Sequence, residues 1–97
     1  MEISSKNKQK LKGLSHSIKP TIIIGKEGIL KGTINSIINI LEHKELIKIK
    51  FNAHQDEKDS IAKKIEDSCK AIIIGQIGNI IILFKQNSDV DKRKFII

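Results

Sequence analysis

Apolar residues recur along this chain at two spacings, and together the two spacings predict an α/β domain. Intervals of three and four residues, which place apolar side chains on one face of a helix, occur over residues 5–18, 29–41 and 56–69. Alternation or short apolar runs, typical of strands, occur over residues 21–24, 45–51, 71–74 and 79–84. The resulting order is α-β-α-β-α-β-β. Strand–helix–strand units favour parallel pairing and the last two strands favour an antiparallel hairpin, so we predict a single compact domain with a four-stranded mixed sheet and helices.

Several features of this pattern depend on single residues. Ser5 and Asp56 are the predicted N-caps of the first and third helices, because their side-chain oxygens can accept hydrogen bonds from free backbone N–H groups. The strand over residues 45–51 alternates, so that its apolar side chains face the core while Lys48 and Lys50 face solvent. One face of this strand is therefore expected to be exposed and basic.

The last third of the chain contains a predicted hairpin and a predicted tail. A turn over Gly75–Gly78 is expected to join the last two strands. Residues 1–85 then form the predicted domain, and residues 86–97 form a basic tail that we expect to be mobile. The apolar end of this tail, residues 95–97, could dock onto the domain.

The composition favours a polyanionic partner. The 97 residues carry 18 Lys and Arg against 11 Asp and Glu, and the formal net charge of +7 favours nucleic acid first and an acidic membrane surface second. The chain has no Trp or Tyr, and Phe51 and Phe84 are interpreted as core residues. Stacking of bases on exposed aromatic rings is therefore not expected. Recognition is predicted to depend on phosphates, 2′-hydroxyl groups and the overall shape of an RNA.

The sequence offers little for other classes of function. A lone cysteine, Cys69, excludes a disulfide framework and a thiol metal site. Neither a Ser/His/Asp set nor a Walker loop nor metal-ligand spacing is visible, so neither an enzyme nor a bound cofactor is predicted. His16, His43 and His54 are widely spaced, and each is interpreted as a surface or helix-end residue. Because no apolar stretch resembles a signal peptide or a membrane span, we expect a soluble cytoplasmic protein.

The strongest local signal is a Gly-x-x-Gly loop between the first strand and the second helix. Gly25 and Gly28 flank Lys26 and Glu27, directly after the isoleucine run. A loop that opens a helix presents free backbone N–H groups and the positive end of the helix dipole to an anion such as a phosphate. The same spacing also fits a tight turn with a helix start and no ligand. If the loop binds RNA, Gly28→Asp is expected to abolish binding and leave the melting temperature almost unchanged.

Lysines are concentrated in the first third of the chain. The first 31 residues hold seven lysines against two glutamates, a local net charge of +5. We expect the lysines nearest the loop and those of the first helix to position an RNA; they are Lys19, Lys26, Lys31, Lys8 and Lys12. Lys48 on the second strand could extend this patch or could be an ordinary solvent-facing residue.

Three segments together resemble the CRM domain (chloroplast RNA splicing and ribosome maturation). Residues 14–29 resemble its signature, residues 41–50 its helix end and second strand, and residues 75–85 its closing strand. The resemblance implies a stand-alone bacterial protein similar to the YhbY family, with a fold like the C-terminal domain of bacterial translation initiation factor three. It also implies association with ribosomal RNA in precursors of the large ribosomal subunit. The family's glycine loop matches Gly25 and Gly28, with Lys26 inside it.

Two alternatives stay open at this point. A chromatin protein of the Alba kind, which has a similar α/β order, would bind double-stranded nucleic acid as a dimer. The second alternative is a group II intron splicing factor, because plant relatives that carry the CRM domain have this role. The chain shows no apolar patch that demands a dimer, so a monomer is expected. Where many CRM relatives carry arginine this chain carries lysine, which offers a point charge and not a two-pronged donor.

Overall fold

The computed structural model describes residues 3–95, so the predicted docking of Ile96 and Ile97 lies outside the described residues. Its helices and strands are α1 (Ser5–Leu14), β1 (Ile22–Ile24), α2 (Lys31–Lys44), β2 (Leu46–Phe51), α3 (Lys58–Cys69), β3 (Ile72–Ile77) and β4 (Ile80–Phe84). Short 3₁₀ turns cover Ser15–Ser17, Gln55–Glu57 and Val90–Lys92. The predicted order α-β-α-β-α-β-β is confirmed.

The four strands form one mixed sheet in the order β1-β2-β4-β3. β1 runs parallel to β2, and β4 pairs antiparallel with both β2 and β3. The predicted mixed sheet is therefore confirmed, with β4 inserted between the two strands that α3 connects. Because β1 and β2 are parallel, the loops that follow them lie at the same end of the sheet. This end, which also carries the turn between β3 and β4, is called the glycine-loop end below.

Helices pack on both faces of the sheet, which corrects the prediction of a fully exposed face on β2. On one face α2 and α3 pack over a cluster that includes Ile37, Leu41, Ile47, Ile49, Phe51, Ala62 and Ile65. On the other face Leu11 of α1 packs with Leu46, Ile74, Ile82 and Phe84. Lys48 lies on this second face and is only 8% exposed, whereas Lys50 is exposed. The prediction is thus wrong for Lys48, because α1 and the chain that follows it cover the middle of β2.

The helix N-termini differ from the predictions by one or two residues. α1 is capped by Ser4 and not by Ser5, since the Ser4 hydroxyl oxygen accepts a hydrogen bond from the backbone N–H of Asn7 at 3.2 Å. α3 begins at Lys58, after a 3₁₀ turn that contains Asp56, so Asp56 is not its cap. Small shifts of this kind are common where several polar residues precede a helix.

The hairpin turn also differs from the prediction. β3 is longer than expected, and the turn consists of Gly78 and Asn79, with Gly78 at a φ of +56°. Gly75 lies inside β3, next to a register shift that follows Ile73. The methylene groups of Lys12 approach the position of a Gly75 Cβ at 3.5 Å. Gly75 therefore lies under a helix side chain and does not form the turn.

Residues 86–95 fold back onto the domain, which the prediction of a mobile tail did not anticipate. Glu45, at the end of α2, is fully buried, and its two carboxylate oxygens accept hydrogen bonds from the backbone N–H groups of Asn87 (2.6 Å) and Lys94. Phe95 packs edge-on against Phe84, with ring centroids 6.2 Å apart. Docking of the tail's apolar end is thereby confirmed for Phe95, and a buried acid is the anchor that the sequence pattern did not reveal.

Candidate nucleic-acid interface

The Gly-x-x-Gly loop is a closed turn that stands apart from the helix. The backbone N–H of Gly28 donates to the carbonyl oxygen of Gly25 at 3.0 Å, and Gly28 has a φ of +70°. α2 begins only at Lys31, after an extended Leu30. The position between β1 and α2 agrees with the prediction. However, the Gly28 amide is used inside the turn, so the prediction that the loop amides form the helix N-terminus is wrong.

The N-terminus of α2 lies beside this turn. Leu30 has no polar side chain to cap the helix; its own N–H donates to the hydroxyl of Thr33 at 3.2 Å. The first amides of an α-helix have no acceptor within the helix, and here they belong to the exposed residues Lys31 and Gly32. The structure therefore places a helix N-terminus that favours anions next to the turn, two residues later in the chain than expected.

Of the two loop glycines, Gly25 is the one that the fold itself does not require to be glycine. Its φ lies outside the left-handed region, and no atom lies within 4 Å of where its Cβ would be. Gly28 differs, because its positive φ favours glycine for conformational reasons alone. A missing Cβ on an open surface allows another molecule to approach the backbone closely. Gly25 is therefore the loop residue that most directly indicates a ligand.

His54 fixes the loop to the segment that follows β2. Because a carbonyl oxygen can only accept, the His54 Nε2–H donates to the Lys26 carbonyl at 2.7 Å. The backbone N–H of Asn52 donates to the Ile24 carbonyl at 2.9 Å, one residue before the loop. Sequence reasoning interpreted His54 as an ordinary surface residue. Its partner lies 28 positions away, so no local pattern could have indicated the contact.

The lysines that were predicted to surround the loop lie at two different ends of the sheet. Lys26 and Lys31 lie at the glycine-loop end, and both are exposed. Lys19 precedes β1 while the loop follows it, so Lys19 lies at the opposite end of the sheet. The three-residue strand between them spans about 10 Å. The prediction that Lys19 belongs to the loop cluster is therefore wrong, because closeness along the sequence was taken for closeness in space.

Charges at the glycine-loop end are balanced. Four lysines in this region, namely Lys26, Lys31, Lys50 and Lys58, are matched by four acids, namely Glu27, Asp56, Glu57 and Asp59. The Lys58 ammonium also donates to the Gly78 carbonyl at 2.7 Å, which ties it to the hairpin turn. An anion at the loop would therefore be held by local contacts, above all by Lys26, and not by a strong regional potential.

The most basic surface is formed by α1. Its four lysines are Lys6, Lys8, Lys10 and Lys12, and the described chain from Ile3 to Pro20 contains no acidic residue. Lys6 and Lys10 are exposed, whereas Lys8 and Lys12 are half-buried. The end of the Lys12 side chain, from Cδ to Nζ, lies over Gly75.

Part of the sheet face that carries α1 is uncovered near β1. Ile23 and Lys50 are register partners in β1 and β2, so they point to the same face as α1. Both are exposed, and the Ile23 side chain is 59% accessible. The α1 lysines and Lys50 thus lie on one face of the sheet, which we call the α1 side. Lys26 lies at the glycine-loop end of β1.

Other chemistry is poorly supported. Cys69 is buried, and burial raises the pKa of its thiol, an effect that the nearby Lys85 charge partly opposes. A buried thiol with a raised pKa is a poor nucleophile. Within residues 3–95, no three His, Cys, Asp or Glu side chains are placed to hold a metal ion. No helix in that part of the chain has the length and apolar character needed to cross a membrane.

Comparison with known proteins identifies the family. Residues 3–85 match the model of the CRS1/YhbY (CRM) domain. The chain belongs to this family. An RNA-binding protein of Haemophilus influenzae is 36% identical over 88 residues, which cover 90% of this chain and 89% of the relative. The probable RNA-binding protein YqeI of Bacillus subtilis is 27% identical over 90% of this chain and 92% of its own length. The resemblance inferred from the sequence is confirmed.

A solved structure shows the same fold. The solution structure of a Staphylococcus aureus protein, described as a candidate RNA-binding protein, has a TM-score of 0.79 and 27% identity to this chain. The similarity covers 98% of this chain and all of the other. The family match ends at residue 85, so the docked tail lies beyond the CRM domain.

Proposed function

We propose that this CRM protein binds ribosomal RNA in precursors of the large ribosomal subunit and assists their assembly, without catalysing a reaction. The observation that carries the proposal is Gly25, an open glycine in a loop that His54 holds in place. The lysines of the α1 side supply further positive charge. The names of the relatives, which are RNA-binding proteins, support RNA as the ligand. A cytoplasmic location and a monomeric state belong to the same proposal.

Binding in this proposal depends mainly on the RNA backbone. A phosphate approaches the bare backbone at Gly25 and is held by the ammonium of Lys26, with the first amides of α2 nearby. The α1 lysines and Lys50 neutralise further phosphates along the same side of the domain. Phe51 and Phe84 are almost fully buried and cannot stack on bases from this side. Contacts of this kind position a structured RNA and read its shape more than its sequence.

The contribution of the loop can be measured from the salt dependence of binding. Lys26→Ala is expected to flatten the slope of log K against log salt by roughly one unit, because one phosphate contact is lost. Lys64→Ala, at an exposed position on α3 outside the α1 side, is the matched control and should keep the parent slope. The measurement is a titration of a structured ribosomal RNA fragment at several salt concentrations. Equal slopes for Lys26→Ala and the parent protein would exclude Lys26 from the interface.

The assembly role requires a test in cell extract. In a sucrose gradient at low salt, the protein is expected to comigrate with immature large-subunit particles and to leave them when the salt concentration is raised. Electrostatic contacts explain the release, since each neutralised phosphate adds to the salt dependence. Protein found only at the top of the low-salt gradient would contradict a stable association with these particles. In that case, crosslinking for an intron target becomes the decisive experiment.

A further inference from the structure

A pocket lies at the end of the sheet opposite the glycine loop. It has a volume of about 390 Å³ and lies between the segment before β1, the end of α2 and the tail. Lys19, Lys44 and Lys94 line it, and no carboxylate of the described residues does. Pockets of this size fall in the range that binds small molecules. The three lysines come from separate parts of the chain, so the fold gathers positive charge here.

The floor of this pocket is apolar. Ile18, Pro20, Leu46 and Phe95 contribute to the lining, and Phe95 is half-buried. An apolar floor with an aromatic ring and a rim of ammonium groups matches the two halves of a nucleotide. The base is flat and apolar on its faces, and the phosphate is an anion. The glycine-loop end lacks this combination, because its aromatic neighbour Phe51 is almost fully buried.

The tail is held in place before any ligand arrives. The buried carboxylate of Glu45 accepts from the backbone N–H of Lys94, the residue before Phe95. The Arg93 Nε–H donates to the Asn87 carbonyl at 2.8 Å, which closes the tail into a compact loop. Lys94 and Phe95 are therefore preorganised at the pocket, and little conformational entropy remains to be lost when a ligand binds.

We propose that this tail-side pocket binds one unpaired nucleotide of the RNA, with the base on Phe95 and its apolar neighbours. Lys19, Lys44 and Lys94 then contact the flanking phosphates. The inference rests on the proposed RNA-binding function and adds a site that lies beyond the family match. The pocket lies at the opposite end of the sheet from Gly25. The domain therefore binds a structured segment of the RNA on one side and a single-stranded nucleotide at the other end.

The test uses the full-length protein and two short probes of equal length. One probe is a single-stranded oligoadenylate, and the other has the same ribose-phosphate backbone without bases. In NMR titrations, the amide signals of Ile18, Lys44 and Phe95 are expected to shift with oligoadenylate and to shift far less with the abasic probe. Phe95→Ala should weaken oligoadenylate binding about tenfold, as for loss of one stacked base. Lys44→Gln, an exposed substitution that spares the core, should weaken it about fivefold, whereas Lys64→Gln should not.

Three results would overturn the proposed pocket. Equal shifts with the abasic probe would show a phosphate surface without a base site. Equal shifts with poly-glutamate, titrated as a third probe, would show a general anion surface. Unchanged oligoadenylate affinity in both Phe95→Ala and Lys44→Gln would exclude the pocket outright. If Lys26→Ala still weakens binding of the structured ribosomal RNA fragment, the proposed function survives any of these results; if no variant affects any RNA, the proposed function itself fails.

Discussion

Glu45→Ala is expected to lower the free energy of unfolding by about 3 kcal/mol and to release the tail. The Glu45 carboxylate is fully buried and accepts from the backbone N–H groups of Asn87 and Lys94. Hydrogen bonds to charged groups are each worth about 1.5–3 kcal/mol. In the variant, the two backbone N–H groups lose their acceptor and must bond to water. Urea unfolding measures the loss of stability. Amide hydrogen exchange at Asn87 and Lys94 measures release of the tail.

Two further comparisons separate the effect of the Glu45 hydrogen bonds from the effect of its backbone conformation. Glu45 has a φ of +61°, a conformation that favours glycine, so Glu45→Gly removes the same hydrogen bonds but relieves strain by about 1 kcal/mol. It should therefore be more stable than Glu45→Ala while releasing the tail equally. In a protein that ends at Lys85, Glu45→Ala should cost far less than in the full chain. An equal cost in both backgrounds would show that the carboxylate does not act through the tail.

Gly25→Asp is expected to weaken binding of the structured RNA about 100-fold, equivalent to about 2.8 kcal/mol. The substitution places a carboxylate where the proposal puts a phosphate, and like charges at an interface repel each other. The domain itself should tolerate the change, because Gly25 has an ordinary φ and no atom within 4 Å of a Cβ. Affinity is measured by titration at constant salt, and the melting temperature is measured in parallel.

Gly25→Asn is the matched control for charge, since it has nearly the same shape as Gly25→Asp. It should lose less affinity, and the difference between the two measures the electrostatic part. Gly28→Asp is less informative than the sequence analysis expected. At a φ of +70° any side chain at Gly28 strains the turn, so lost binding could reflect a distorted loop. Parent-like affinity in Gly25→Asp would remove the loop from the proposed mechanism.

The sequence predicted the elements better than their contacts. The spacing of apolar residues and the turn residues depend only on nearby positions in the chain. The order of helices and strands, and the glycine loop after β1, could therefore be predicted from them. The covered face of β2 was missed because Leu46, Lys48 and Lys50 alternate as an exposed strand face would, while α1 and the chain that follows it cover the first two. Nothing in the local pattern of β2 shows which helix will lie across it.

In the candidate site, too, the sequence predicted local features better than contacts between distant residues. Lys26 and Gly25 were found because one motif contains both, but Lys19 was assigned to the wrong end of the sheet. The His54 contact to Lys26 joins residues 28 positions apart, and Glu45 contacts backbone groups 42 and 49 positions away. Such hydrogen bonds depend on the folded backbone, which single-sequence patterns do not encode. Glu45 in particular looks like an ordinary surface acid at a helix end.

The position of β4 has a consequence for how this chain is made. β4 is the last strand to be synthesised, yet it lies in the interior of the sheet and pairs on both sides. Until residues 80–84 leave the ribosome, β2 and β3 expose unpaired edges and both hydrophobic clusters lack their central strand. Contacts between distant residues also slow folding. The domain therefore completes its sheet only after residues 80–84 have left the ribosome, when its α1 lysines are already outside the exit tunnel.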